Sequence, residues 1–200
     1  RRDYKTGDLS AELADGDGPT IAAIKAQYEK DWNEWPAAQG APFEDKNNNK
    51  TYEPATDIPG VPGADQSIWF VCNDFNAAQT DFMYGTLPMG IEEQVTIWGY
   101  KATGALGNMI FRKYTIINKN KDKKTFQDMY VSMWTDSDNG DAGDDFNGCD
   151  VNLSLFYTYN ALANDGQYGN TPPATGFDFF QGPIVKGDAN EKAILKGKYR

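Results

Sequence analysis

Apolar residues recur at three- to four-residue intervals over one stretch of the chain and alternate with polar ones over several others. Between Pro19 and Pro36, Ile21, Ile24, Tyr28, Trp32 and Trp35 fall on one helical face, which predicts an amphipathic helix. Asp17 or Gly18 is expected to cap its start, with Pro19 in the first turn and Pro36 as the stop. This is the single strong helix signal. Five segments carry strand patterns: Ser67–Asn73, Glu93–Ala102, Asn108–Lys119, Phe126–Asp136 and Asp150–Asn160. In the fourth, Met129, Val131 and Met133 alternate with Tyr130, Ser132 and Trp134. The last four, closely connected, read as an antiparallel meander. A run near the C-terminus, "GFDFFQGPIV", reads as an edge strand.

Residues 37–66 contain Gly40, Pro42, three consecutive asparagines, Pro54, Pro59, Gly60, Pro62 and Gly63, and read as a long loop. Three regions follow: a polar arm and helix over 1–36, a Pro/Gly/Asn-rich loop over 37–66, and an antiparallel β domain over 67–200. Together they are expected to form one globular unit that is a piece of a longer protein. The fold class expected is mainly β: an antiparallel β-sandwich with one N-terminal amphipathic helix and long calcium-organised loops. Aromatics at 14% of 200 residues, twenty glycines and ten prolines agree with a turn-rich β fold.

Three features of composition narrow the chemistry. A net charge of −10 argues against nucleic-acid partners, which need a basic patch. No histidine is present, which removes His-based triads, His-ligated zinc and histidine acid–base catalysis. The two cysteines, Cys72 and Cys149, form no CxxC motif. They are either a disulfide of a secreted protein or two buried thiols. No apolar run is long enough to insert into a membrane.

Two clusters of oxygen-bearing side chains invite a hard cation. In "DKNNNKTYEPATD", Asp45, Asn47 and Asn49 occupy positions 1, 3 and 5 of a calcium-type loop. The Thr51 carbonyl falls at position 7, Glu53 at 9 and Asp57 at 13. Position 6, usually glycine because the chain turns sharply there, is Lys50, at a cost of roughly 1 kcal/mol in a left-handed conformation. The second cluster, "TDSDNGDAGDDFNGCD", gathers Asp136, Asp138, Asp141, Asp144, Asp145 and Asp150 between two expected strands. At an effective dielectric of about 20, two carboxylates about 4 Å apart repel by roughly 4 kcal/mol. Such a loop must spread its charges, protonate some or bind a cation, and oxygen ligands on a Gly-rich backbone suit Ca²⁺. One to three calcium ions are expected in all. Glycoside hydrolysis by paired acids would require a carboxyl held in an apolar pocket, which a crowded Gly-rich loop does not offer.

Trp69, Trp98 and Trp134 could stack on sugar rings, as in a carbohydrate-binding module, or serve as core. The strings "YEKDWNEWPAAQGAPFEDKNNNKTYEPATDIPGVPGADQSIWFVCND", "MGIEEQVTIWGY", "GALGNMIFRKYTIINK" and "MWTDSDNGDAGDDFNGCDVNLSLFYTYN" resemble a group of large secreted bacterial proteins that typically end in a type IX secretion sorting domain. In that group the loop matching Asp45–Asp57 usually has glycine where Lys50 stands here. The resemblance implies a secreted or cell-surface location. The expectation is a non-enzymatic, calcium-stabilised structural or adhesion domain, part of a fibre or multidomain assembly. Its partners would be copies of itself, neighbouring domains or glycans. A carbohydrate-binding module is the alternative, and a carboxylate-dependent hydrolase the third reading.

Overall fold

In the computed structural model, residues 1–13, 19–122, 124–183, 194–195 and 198–199 are described. The expected helix forms as α1, Ile21–Asn33. Its cap is Thr20, whose hydroxyl accepts the Ala23 N–H at 3.2 Å. Pro19 therefore precedes the helix rather than entering its first turn; Asp17 and Gly18 lie outside the described residues. The predicted face turns inward: Ile24 is buried, and the Tyr4 ring sits 6.0 Å from Tyr28 and 5.7 Å from Trp32.

The loop region contains a clasp. Phe43–Glu44 (β1) pairs antiparallel with Ile58–Pro59 (β2), bringing together the two ends of the Asp45–Asp57 segment. Gln66–Asn73 (β3), Ile91–Gly99 (β4) and Ile110–Asn118 (β5) then form an antiparallel sheet in the order β3-β4-β5. Register puts Phe70, Val95 and Tyr114 in one row and Trp69, Thr96 and Lys113 in the next, on opposite faces. A second helix, α2 (Ala77–Tyr84), joins β3 to β4. It is too short to show a period, but its punctuation was present in the sequence: Asn76 caps Gln79, and Gly85 ends it at φ 64°.

Asp145–Asp150 (β6), Leu155–Asn160 (β7) and Ala174–Asp178 (β8) form a further antiparallel sheet in the order β6-β7-β8. The short strands Ile194–Leu195 (β9) and Lys198–Tyr199 (β10) also pair. The chain is thus mainly β, with antiparallel sheets and, among the described residues, two α-helices.

Four expectations are corrected. The chain divides into two compact units, Arg1–Thr125 and Phe126–Arg200, where one globular unit was expected. The meander stops at β5, because Phe126–Asp136 is not a strand; Asp128 at φ 50° interrupts the extended run near its start. The acidic stretch is not all loop, since its second half is β6, and Val151–Ser154 is the turn to β7. The expected edge strand over Gly176–Val185 forms only at Gly176–Asp178, as the end of β8, and Ile184 and Val185 lie outside the described residues. Among the described residues the buried apolar side chains (Tyr4, Leu9, Ile24, Ala41, Ala64 and Val95) all belong to the first unit.

Candidate functional site

The Asp45–Asp57 loop folds around its own oxygen atoms. Asp45 accepts the N–H groups of Asn49 (3.2 Å) and Lys50 (2.7 Å). Asn47 Oδ1 accepts Asn49 N–H at 3.1 Å, and Asn49 Oδ1 accepts Thr51 N–H at 2.8 Å. Side chains at positions 1, 3 and 5 therefore point to the inside of the turn, as alternate spacing requires. The amides of Asn47 and Asn49 both donate to Glu53 Oε2, at 2.6 and 3.0 Å, so position 9 joins the same group. Lys50 takes the left-handed conformation the sequence made costly, at φ 64°, and Asn48 does so at φ 60°.

Asp57 has a different role from the one expected of it as a ligand. It is 2% exposed, and its two oxygens accept the N–H groups of Lys46 (2.9 Å) and Glu53 (2.8 Å). It thereby ties the start of the loop to its end. Helix α1 holds the loop from outside. Trp32 Nε1 donates to the Pro54 carbonyl and the Tyr52 hydroxyl to the Trp32 carbonyl, at 3.0 and 2.6 Å. Burial is the main reason the Tyr52 hydroxyl is pushed up to about 12, with the Asp57 charge adding to it. Asp45, Asn47, Asn49 and Glu53 offer only hard oxygen donors, a set that suits Ca²⁺.

The six aspartates of the second cluster do not converge. Asp150 caps the β6–β7 turn, accepting N–H groups of Asn152 (3.0 Å) and Leu153 (3.1 Å). That is the far end of β6 from Asp145, about 17 Å away at the usual strand rise. Asp136 and Asp138 are exposed. Asp141 accepts Gly143 N–H, Asp144 accepts the Asn160 amide, and Asp145 accepts Asn139 N–H. Among the described residues there is no group of three or more His, Cys, Asp or Glu side chains that could hold a metal ion. The charge problem is met by spreading the carboxylates along a strand and its turns.

Two polar residues that the sequence did not single out organise this region. Asp165, 4% exposed, accepts N–H groups from Asp141 (2.8 Å), Gln167 (2.7 Å) and Tyr168 (2.8 Å). These donors, Asp141 foremost, hold its carboxyl below the usual range. Asn139, 2% exposed, donates to Thr158 and accepts from Thr175. The "NDG" at Asn164–Gly166 is a turn signal, but nothing local links Asp165 to Asp141, 24 positions earlier. In the first unit Asp74 plays a similar part, accepting the N–H groups of Met89, Gly90 and Ile91.

The tryptophans do not form one platform. Trp69 and Trp98 share a sheet face, but one side of Trp98 is stacked on Phe111 (5.5 Å, 17°). Trp134, 84% exposed, belongs to the other unit. Cys72 and Cys149 are exposed free thiols rather than a bridge or a buried pair. A cleft of about 480 Å³ at the end of the β3–β4–β5 sheet is lined by Arg1, Asp3, Asp65, Trp98, Tyr100 and Lys101. Its charges are already engaged: Arg1 with Asp3 and Glu12, and Asp65 with Lys101 N–H. Among the described residues no helix is long and apolar enough to cross a membrane. No protein-family model, curated protein or solved structure matches the chain.

Proposed function

We propose that the chain is a calcium-stabilised, non-catalytic structural or adhesion domain of a secreted or cell-surface protein. The observation that carries this reading is the geometry of the Asp45–Asp57 loop. Asp45, Asn47 and Asn49 turn alternate oxygens inward, Glu53 joins them, and Lys50 accepts a left-handed backbone at the position where such loops usually have glycine. Calcium there would stabilise the fold, because an ion that binds only the folded state adds about 2.7 kcal/mol at a hundredfold excess over its dissociation constant. The sandwich expected from the sequence remains part of this proposal, since the β3–β4–β5 sheet has an apolar face to cover.

The test is a melting curve of the whole chain in excess EDTA and again in excess calcium. EDTA is expected to lower the melting temperature and calcium to restore it, and Asp45→Ala is expected to abolish the difference. Superimposable curves, with no heat of calcium binding on titration, would overturn the reading.

A further inference from the structure

We propose that Phe126–Asp138 is an interaction strand that pairs with the outer edge of β5 in a second copy of this chain. The segment alternates apolar and polar residues as a strand does, yet among the described residues no backbone–backbone hydrogen bond involves residues 126–140. An unpaired stretch of this length leaves a row of donors and acceptors open to pairing. Its side chains are exposed to match: Tyr130 at 91% and Trp134 at 84%, with Met129 and Val131 at 43% each. Tryptophan and tyrosine so exposed in one short segment mark a contact surface.

The acceptor is β5. It is an outer strand of the β3-β4-β5 sheet, and among the described residues no strand pairs with its free side. Several of its side chains are also open, with Ile110 at 70%, Tyr114 at 43% and Ile116 at 38%. Charge selects this edge. Within Ile110–Asn118 the ionisable groups with charge at neutral pH are Arg112 and Lys113, both cationic, in a chain of net charge −10. Within Phe126–Asp138 they are Asp128, Asp136 and Asp138, all anionic. Strand and edge are complementary in charge and both carry β-branched and aromatic residues, the combination that cross-strand pairs reward. The antiparallel register that sets Asp136 opposite Arg112 also sets Trp134 opposite Tyr114. Donor and acceptor are different surfaces, so the contact is heterologous: it propagates from copy to copy unless two copies exchange strands reciprocally.

The partner named here goes beyond the calcium reading, and the test separates the two. In a Cys72→Ser, Cys149→Ser background, one preparation carries Tyr114→Cys and another Trp134→Cys. The two are mixed under mild oxidation, once in calcium and once in EDTA. Opposed strand residues lie within disulfide range, so the mixture is expected to give a disulfide-linked heterodimer several-fold in excess of the dimers from either preparation alone. A synthetic peptide of residues 126–138 in excess should suppress it. So should Val131→Pro in the Trp134→Cys chain, with an unchanged far-ultraviolet circular dichroism spectrum showing that the chain still folds. Light scattering on the unsubstituted chain should show a mass that rises with concentration. A monomer at every concentration with no excess heterodimer would overturn the proposal. So would a chain carrying both new cysteines that closes an internal disulfide at high dilution while the mixture gives no heterodimer.

Discussion

Asp57 offers the sharpest test of how the calcium-type loop is held, because its two oxygens are committed to known partners. Asp57→Ala removes the acceptor of the Lys46 and Glu53 N–H groups, at 2.9 and 2.8 Å. Hydrogen bonds to a charged group contribute about 1.5–3 kcal/mol each, and a buried donor left without a partner costs a comparable amount. Lys46 is exposed, so its N–H regains water, whereas Glu53 is half-buried and regains less. The expected loss is therefore about 3 kcal/mol rather than the upper sum of about 6. In a unit of this size that corresponds to a fall in melting temperature of roughly 10 °C.

Urea unfolding of the whole chain, followed both by far-ultraviolet circular dichroism and by tryptophan fluorescence, measures it. Trp32, one of five tryptophans, donates to Pro54 within the loop, so a part of the fluorescence reports the loop, and the variant's change is read against the circular dichroism. Asp57→Asn, which keeps the volume and one oxygen acceptor, is expected to lose about half as much. A loss below about 1 kcal/mol for Asp57→Ala would show that the two backbone groups find other partners and would refute the tie assigned to Asp57.

Lys50 sits at φ 64°, where a β-branched side chain is much worse tolerated; Lys50→Val should cost about 1–2 kcal/mol in the same urea assay. Lys50→Gly should be nearly neutral, because relief of about 1 kcal/mol is offset by the greater freedom of glycine in the unfolded chain. Asp165 is held below its ordinary range, chiefly by the Asp141 N–H. A depressed carboxyl contributes stability at neutral pH that is lost as pH falls through about 4 and below. Asp165→Asn should therefore destabilise the chain at pH 7 and flatten the acid limb of its stability–pH curve. An acid limb of unchanged slope in that variant would assign acid sensitivity to other carboxylates.

What the sequence revealed and what it hid follow from the range of the interactions involved. The helical face of α1 was legible because Ile24, Tyr28 and Trp32 repeat within one element. The strands β3, β4 and β5 were legible for the same reason. The alternate oxygens of Asp45, Asn47 and Asn49 were legible because such a loop is built from neighbours. Asp57 was picked out, but not its role, since whether a carboxylate turns to an ion or to two backbone N–H groups depends on where Lys46 and Glu53 lie. The six aspartates misled for a related reason. Density in sequence suggested convergence, but a strand moves every residue along by about 3.3 Å, and Asp145 and Asp150 end at opposite ends of β6. Phe126–Asp136 carried a good strand pattern without a pairing partner, and alternation alone does not supply one. Asp165 and Asn139 were invisible because their partners lie as far as 36 positions away.

The loop also explains why a helix and a Pro-rich segment precede the first sheet. Trp32 on α1 and Trp35, just beyond its C-terminal end, donate to the carbonyls of Pro54 and Pro42. The Pro42 carbonyl also accepts Gly60 N–H at 2.8 Å, and Val61 N–H reaches Ser67 Oγ at 3.0 Å. Gly60, at φ 97°, cannot be replaced freely, because a Cβ there would lie 2.5 Å from the Ser67 side chain. A second link runs from the Gln39 carbonyl to the Gln94 amide on β4. Helix, loop and sheet are thus joined by directed hydrogen bonds as much as by packing. An ion that fixed the Asp45–Asp57 turn would act on both: it would hold the Pro54 carbonyl that Trp32 of α1 reads through its indole N–H, and the β1–β2 clasp that leads into β3. With few fully buried apolar side chains among the described residues of this unit, that connectivity would give a loop-bound cation leverage over the whole of Arg1–Thr125.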